Sequence, residues 1–212
     1  MRTLFAHVET WVFDLDNTLY PPESRLFDQI EARMTGFLMR TLGVDAARAG
    51  ELRARYWREH GTTLAGLMRE HAVDPAAYLA EVHDIDLSGI PPSPALAAAI
   101  GRLPGRKVVF TNGSREHARR VTAACGLAGA FDALYGFEDA GYTPKPRAEA
   151  FAAVFGLEGL APTRAAMFED DPRNLAVPHR LGLRTVLVGP GGEHPHVHHR
   201  TEDLAGFLAL LA

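Results

Sequence analysis

The chain has 212 residues, 47% hydrophobic and 23% charged, with a formal net charge of -4, the balance of a soluble globular protein with one core or a core and a small satellite. No long basic run is present, which argues against a nucleic-acid polymer as partner, and no stretch reaches the ~18 uninterrupted apolar residues of a membrane span. Cys125 is the single cysteine, so no intrachain disulfide can form, and with no leader-like apolar start the expected location is cytoplasmic.

The first predicted element is a strand, "WVF" from Trp11, which runs directly into "DLDNT". Between Pro21 and Pro94 only helical pattern follows. Leu26, Phe27, Ile30, Met34, Phe37, Leu38 and Leu42 form one amphipathic series. Shorter series run through Arg53, Tyr56 and Trp57, through Leu64, Leu67 and Met68, and through Tyr78, Leu79 and Val82. "SGIPPSPAL" then reads as a linker. Residues 21–93 are therefore expected to be a helical insert of small-domain scale, with 1–20 and 94–212 forming the core.

From "VVF" at Val108 onward, strands and helices alternate. A helical pattern from Arg115 to Gly126 precedes "ALYGF" at Ala133, and a helix opening on Pro146 precedes "AAMF" at Ala165. The next helical segment contains Pro178, which argues for a kink or a break. "TVLV" from Thr185 is followed by the histidine-rich "EHPHVHHRTEDL". His196, His198 and His199 lack the spacing of helical zinc ligands, so this stretch is expected to be a solvated loop ahead of a C-terminal amphipathic helix. Unbroken apolar runs alternating with helices predict an α/β protein with a doubly wound parallel sheet.

Four motifs stand at the predicted strand ends, where open α/β sheets place their ligands. Asp14 and Asp16 are spaced so that an extended chain points both to one side, although a lone Asp-x-Asp is equally a capped turn. Asn17 suits the turn that follows, since asparagine tolerates left-handed backbone. Thr111, Asn112 and Gly113 offer a hydroxyl, an amide and backbone N–H groups ahead of a helix, an anion site or plain turn chemistry with Ser114 as cap. Lys145 lies between two prolines that stiffen its approach to a helix. Glu169, Asp170 and Asp171 follow an apolar strand, with Asn174 a turn beyond. Helix-dipole complementarity accounts for one or two of these acids, and a hard cation such as magnesium for three.

This ordered set resembles the haloacid dehalogenase superfamily over nearly the whole chain. "DLDNT" is similar to its first motif, Thr111 to the second, Lys145 to the third, and Glu169 with Asp170 to the fourth. The insert resembles the family's small helical cap. The phrases "FDLDNTLYPP", "GTTLAGLM", "VHDIDL", "FTNGS", "YTPKP" and "FEDDPRN" resemble the pyrimidine 5'-nucleotidase group. Asp171 departs from the small or neutral residue expected there and adds charge beside the expected metal.

The resemblance implies a phosphomonoesterase with Mg2+ as cofactor and an aspartyl-phosphate intermediate. Asp14 is the implied nucleophile and Asp16 the acid–base. Asp14, Asp170 and the backbone carbonyl of Asp16 are the implied metal ligands. Thr111, Asn112, Gly113 and Lys145 are expected to hold the phosphoryl group, and Glu169 and Asn174 to orient ligands or waters. A small phosphorylated metabolite is the expected partner, UMP or CMP ahead of a sugar phosphate, with Thr62, Thr63 and His83 as candidates for lining its leaving-group site. A phosphomutase, and a non-catalytic binding protein on the same scaffold, are the alternatives.

Overall fold

Six strands, five of them apolar runs, pair side by side into one sheet in the computed structural model, which describes residues 1–211. The strands are β1 (Thr10–Phe13), β2 (Arg106–Phe110), β3 (Ala133–Tyr135), β4 (Ala165–Glu169), β5 (Arg184–Val188) and β6 (His199–Thr201). Their order is β3-β2-β1-β4-β5-β6, and every pair is parallel. Strand succession therefore reverses direction between β1 and β4, which opens a crevice beyond the carboxyl ends of those two strands.

Alternate side chains of each strand enter opposite faces of the sheet. From β1 and β4, Trp11, Phe13 and Phe168 join a cluster with Phe5, Ile100, Val121 and Phe207, whereas Val12 and Met167 join Phe151, Val154 and Leu175 on the other face. The first face is covered by helices α6 (Pro94–Arg102), α7 (Arg115–Ala124) and α10 (Leu204–Ala209), and the short α1 (Arg2–Phe5) packs at its edge. The second face is covered by α8 (Ala148–Glu158) and α9 (Pro172–Leu181). Burial on both faces is why β1 and β4 are so apolar.

Helices α2 (Leu26–Leu42), α3 (Ala46–His60), α4 (Thr63–His71) and α5 (Pro75–Val82) lie between β1 and β2 in the chain and have their own core, built on Leu38, Leu52, Tyr56, Leu67 and Val82. Asp45, Thr62 and Asp74 cap the last three through side-chain oxygens accepting from Arg48, Ala65 and Ala76 N–H groups. Helices α3 and α4 cross closely because position 66 is glycine: a Cβ there would stand 2.3 Å from the Tyr56 ring.

Several expectations are corrected. Helix α9 runs through Pro178 without a break; standing at the seventh position, this proline removes one ladder hydrogen bond, and Leu175 and Val177 pack the helix onto the sheet. Helix α8 begins at Ala148 with Arg147 as cap, so Pro146 lies ahead of it. The end of the expected linker is already helical, since α6 begins within it, with Pro94 at its first turn. The histidine-rich stretch is no free loop: His199–Thr201 is the sixth strand, and His196 and His198 bond the carbonyl of Pro172 and the hydroxyl of Thr185. No helix is long and apolar enough to cross a membrane among the described residues.

Candidate active site

All four motifs meet at the crevice. Asp14 follows β1, and its N–H donates to the Phe168 carbonyl at 2.9 Å, so the ladder to β4 fixes its backbone. Leu15 is fully buried and Asn17 takes φ 60, which turns the chain back sharply after Asp16. Asp14 and Lys145 are 131 residues apart in sequence, yet Nζ of Lys145 lies 2.6 Å from Asp14 Oδ1. The same ammonium donates to Glu169 Oε2 at 2.7 Å and to the Phe110 carbonyl at 2.9 Å, which satisfies its three protons. Lys145, Asp14 and Glu169 are all buried.

The Lys145 backbone is held as firmly as its side chain. Asn112 accepts from the Lys145 N–H at 2.8 Å and donates to the Lys145 carbonyl at 3.1 Å. That carboxamide, expected on the phosphoryl group, thus also braces the lysine backbone. Thr111 Oγ1 accepts from the Gly113 N–H at 2.9 Å. Gly113 leaves room that a side chain would fill, since a Cβ would lie 3.1 Å from His117 and 3.3 Å from the Thr111 hydroxyl.

Asp14, Glu169 and Asp170 each bring a carboxylate oxygen within 4.8 Å of the others. Burial, reinforced by Asp170 and Asp16 and opposed by Lys145, pushes Asp14 up to about 7. Glu169 is raised well above its usual range by burial and by Asp14, and burial also raises Asp170. Burial disfavours the Lys145 charge, but Asp14 and Glu169 outweigh it and its proton affinity is raised. One ammonium thus leaves three clustered carboxylates under-compensated. An all-oxygen donor set with surplus negative charge fits a hard divalent cation. Asn174 adds a buried Oδ1 with no hydrogen-bond partner among the described residues at the same cavity.

Two neighbouring carboxylates have partners of their own. The Asp16 carboxylate stands outside the cluster, because its Oδ1 accepts from the Tyr20 hydroxyl at 2.7 Å and faces His117 Nε2 at 2.9 Å. Burial alone would raise Asp16, but His117 and Tyr20 prevail and hold it at about 2. Asp171 turns from the cluster to cap α9 and pairs with the Arg173 guanidinium at 2.6 Å, so its extra charge is locally neutralised. His117, Tyr20 and Arg173 were not anticipated. Tyr20 sits four residues after Asp16 and Arg173 two after Asp171, spacings that offered a local signal; His117 offered none, because its partner is 101 residues away.

A cavity of about 500 Å³ opens over these groups, bounded on the far side by α2–α5 through Phe27, Met34, Trp57, Leu64 and Val82. Thr62, Thr63 and His83 also line it. Thr62 is the cap of α4 and His83 pairs with Ser114, so both have structural partners as well. Arg173 lies over the Trp57 ring, 3.5 Å from its centroid, and ties α9 to α3 at the cavity wall.

A parallel sheet with a carboxylate pair, a lysine and an acid cluster at its switch point defines a hydrolase scaffold. A family model for haloacid dehalogenase-like hydrolases matches residues 8–182, and the chain belongs to that family. The Saccharomyces cerevisiae protein named Phosphate metabolism protein 8 is 26% identical over 211 residues, which cover 92% of this chain and 62% of the yeast protein. The chain thus spans less than two thirds of that relative's length. Among solved structures, the magnesium-bound HAD-hydrolase YfnB of Bacillus subtilis superposes with a TM-score of 0.63 at 17% identity, covering 96% of this chain and 98% of that one. The L-2-haloacid dehalogenase of Xanthobacter autotrophicus, with chloropropionic acid covalently bound, gives a TM-score of 0.54 at 18% identity, covering 85% and 77%. These two likenesses concern the fold.

Proposed function

We propose that the chain is a magnesium-dependent phosphomonoesterase that works through an aspartyl-phosphate on Asp14 and acts on pyrimidine nucleoside 5'-monophosphates. The observation that carries the reading is the pairing of two carboxylates with opposite environments. Asp14 sits against Lys145 among acids that call for a cation, while Asp16 is held by hydrogen-bond donors. One is placed to attack and the other to handle a proton.

Asp14, Asp170 and the Asp16 carbonyl would hold the magnesium. The chemistry supplied by the bound ion is positive charge, which keeps the carboxylates ionised and screens an incoming phosphate. Lys145 fixes the Asp14 carboxylate, and Thr111 with the Asn112–Gly113 turn receives phosphoryl oxygens. A carboxylate oxygen of Asp14 forms a bond to phosphorus while the ester P–O bond breaks, and Asp16 delivers a proton to the leaving oxygen. An arriving phosphate dianion raises the proton affinity of Asp16, so substrate itself populates the acid form. Asp16 then takes a proton from water as that water attacks phosphorus, and the Asp14–phosphorus bond breaks to release phosphate.

A halide leaves without a proton, so a dehalogenase has no use for Asp16, and the name of the yeast relative also points to phosphate. The cavity suits a small organic phosphate, and Phe27, Trp57 and Tyr78 give its far wall flat aromatic surface for a nucleobase. The test is kcat/KM for UMP, CMP, AMP, GMP and a panel of sugar phosphates in one buffer. UMP and CMP are expected to lead. A sugar phosphate ahead by about tenfold, a difference of some 1.4 kcal/mol in transition-state binding, removes the nucleotidase assignment, and no release from any ester removes the phosphatase.

A further inference from the structure

His117 and His83 carry no role in the reaction just described, yet both are buried beside it. His117 stands on α7, and its single side-chain hydrogen bond is to Asp16 Oδ1 at 2.9 Å. The Tyr20 hydroxyl donates to that same oxygen at 2.7 Å. A carboxylate only accepts, so the imidazole carries its proton on Nε2. Its Nδ1 is buried without a partner among the described residues, a costly arrangement for a polar nitrogen. Both donors converge on Oδ1 and, among the described residues, leave Oδ2 without a hydrogen bond on a side chain that lines the cavity.

The ring itself is trapped. His83, at the end of α5, stacks on it with centroids 4.1 Å apart and planes within 12°. His83 Nδ1 pairs with Ser114 Oγ at 3.1 Å, and Arg120 donates to the carbonyls of His83 and Ile85 at 2.8 and 3.0 Å. Helix α7 and its cap therefore offer three residues, Ser114, His117 and Arg120, as a dock for the end of the α2–α5 unit. On another side the room for the ring exists because residue 113 has no Cβ.

We propose that His117 is a positioning residue for Asp16: with Tyr20 it fixes Oδ1, so that Oδ2 alone meets the leaving oxygen, and His83 seats it when the helical unit is docked. The inference rests on the phosphatase reading above. As Asp16 gives up its proton, the imidazole N–H meets the charge that develops on the carboxylate, which helps most when the leaving oxygen is strongly basic.

The test compares kcat/KM of native protein, His117→Phe and His117→Gln on p-nitrophenyl phosphate and on an alkyl phosphate monoester. His117→Phe keeps a flat ring against His83 and removes the donor; His117→Gln restores an N–H at similar reach. Displacing a catalytic group by about 1 Å can cost ~10²-fold, so His117→Phe is expected to lose that much on the alkyl ester. On p-nitrophenyl phosphate, whose leaving group needs little protonation, the loss should stay under about tenfold, and His117→Gln should regain part of the alkyl activity. In parallel, 15N NMR of the native imidazole should show a protonated Nε2 whose shift moves in Asp16→Asn. Equal losses on the two esters, or a bare Nε2, would overturn the inference and leave the phosphatase reading intact. No phosphate release from either ester by native protein would overturn both. Should His117→Phe fail to fold, His117→Gln and the native tautomer still decide the matter.

Discussion

Replacing Lys145 with methionine removes the one cation inside the acid cluster while keeping most of the side chain's length. Nζ bonds Asp14, Glu169 and the Phe110 carbonyl, and all three residues that carry charge are buried. Breaking a buried ion pair by removing one partner costs about 3–5 kcal/mol, because the remaining charge is left uncompensated. At 2–4 °C per kcal/mol for a chain of this size, the midpoint of thermal unfolding should fall by roughly 6–20 °C in metal-free protein. The loss has a pH signature. Asp14 is already raised to about 7 and Glu169 well above its ordinary value, and the substitution raises both further. Groups with raised folded-state pKa bind more protons folded than unfolded, so their stability contribution is full below the unfolded pKa and lost as pH rises through the folded one. The deficit of the variant should therefore be small near pH 5 and largest near pH 8. Differential scanning calorimetry of both proteins in chelator across that range measures it. A midpoint unchanged at pH 8, or a deficit larger at pH 5 than at pH 8, would refute the reasoning.

Asp14→Asn should abolish turnover with the fold intact, because an amide is a far poorer nucleophile of nearly the same shape; phosphate release at matched purity and a circular dichroism spectrum check this. Chelator should abolish activity and magnesium restore it, with calcium a poor substitute because its looser coordination misplaces Asp14. Titrating each metal into chelator-stripped protein reads this out, and full activity in the stripped state would remove the metal role.

Much of the arrangement was legible because its causes are local. Strands buried on both faces must be apolar throughout, so "WVF", "VVF" and "AAMF" announced themselves, and the polar groups that ended them marked the crevice. What escaped depends on contacts far along the chain. Strand β6 is three polar residues, His199–Thr201, whose pairing comes from the open edge of β5 and not from side-chain pattern. Helix α6 lay hidden in a proline-rich stretch, although Pro94 opens it at a position where its missing N–H is harmless. The brace from Asn112 to the Lys145 backbone could not be read either, because its partner stands 33 residues away. The Asp171 charge was visible; its neutralisation by Arg173 follows from the two-residue step at a helix start, where both side chains lean together.

The insertion of α2–α5 between β1 and β2 bears on how such a protein can change. Topologically the helical unit is one long loop closed by the pairing of Val12 with Val108. Doubling a loop adds only roughly 0.6 kcal/mol to the entropy of closing it. The unit has its own core, and every group proposed to handle phosphate stands on the sheet side of the crevice. Enlarging, trimming or exchanging the helices therefore disturbs the closure energy very little while rewriting the wall that a leaving group meets. A chain built this way can acquire new substrates by changes confined to one contiguous stretch, with the bond-breaking apparatus left where it was.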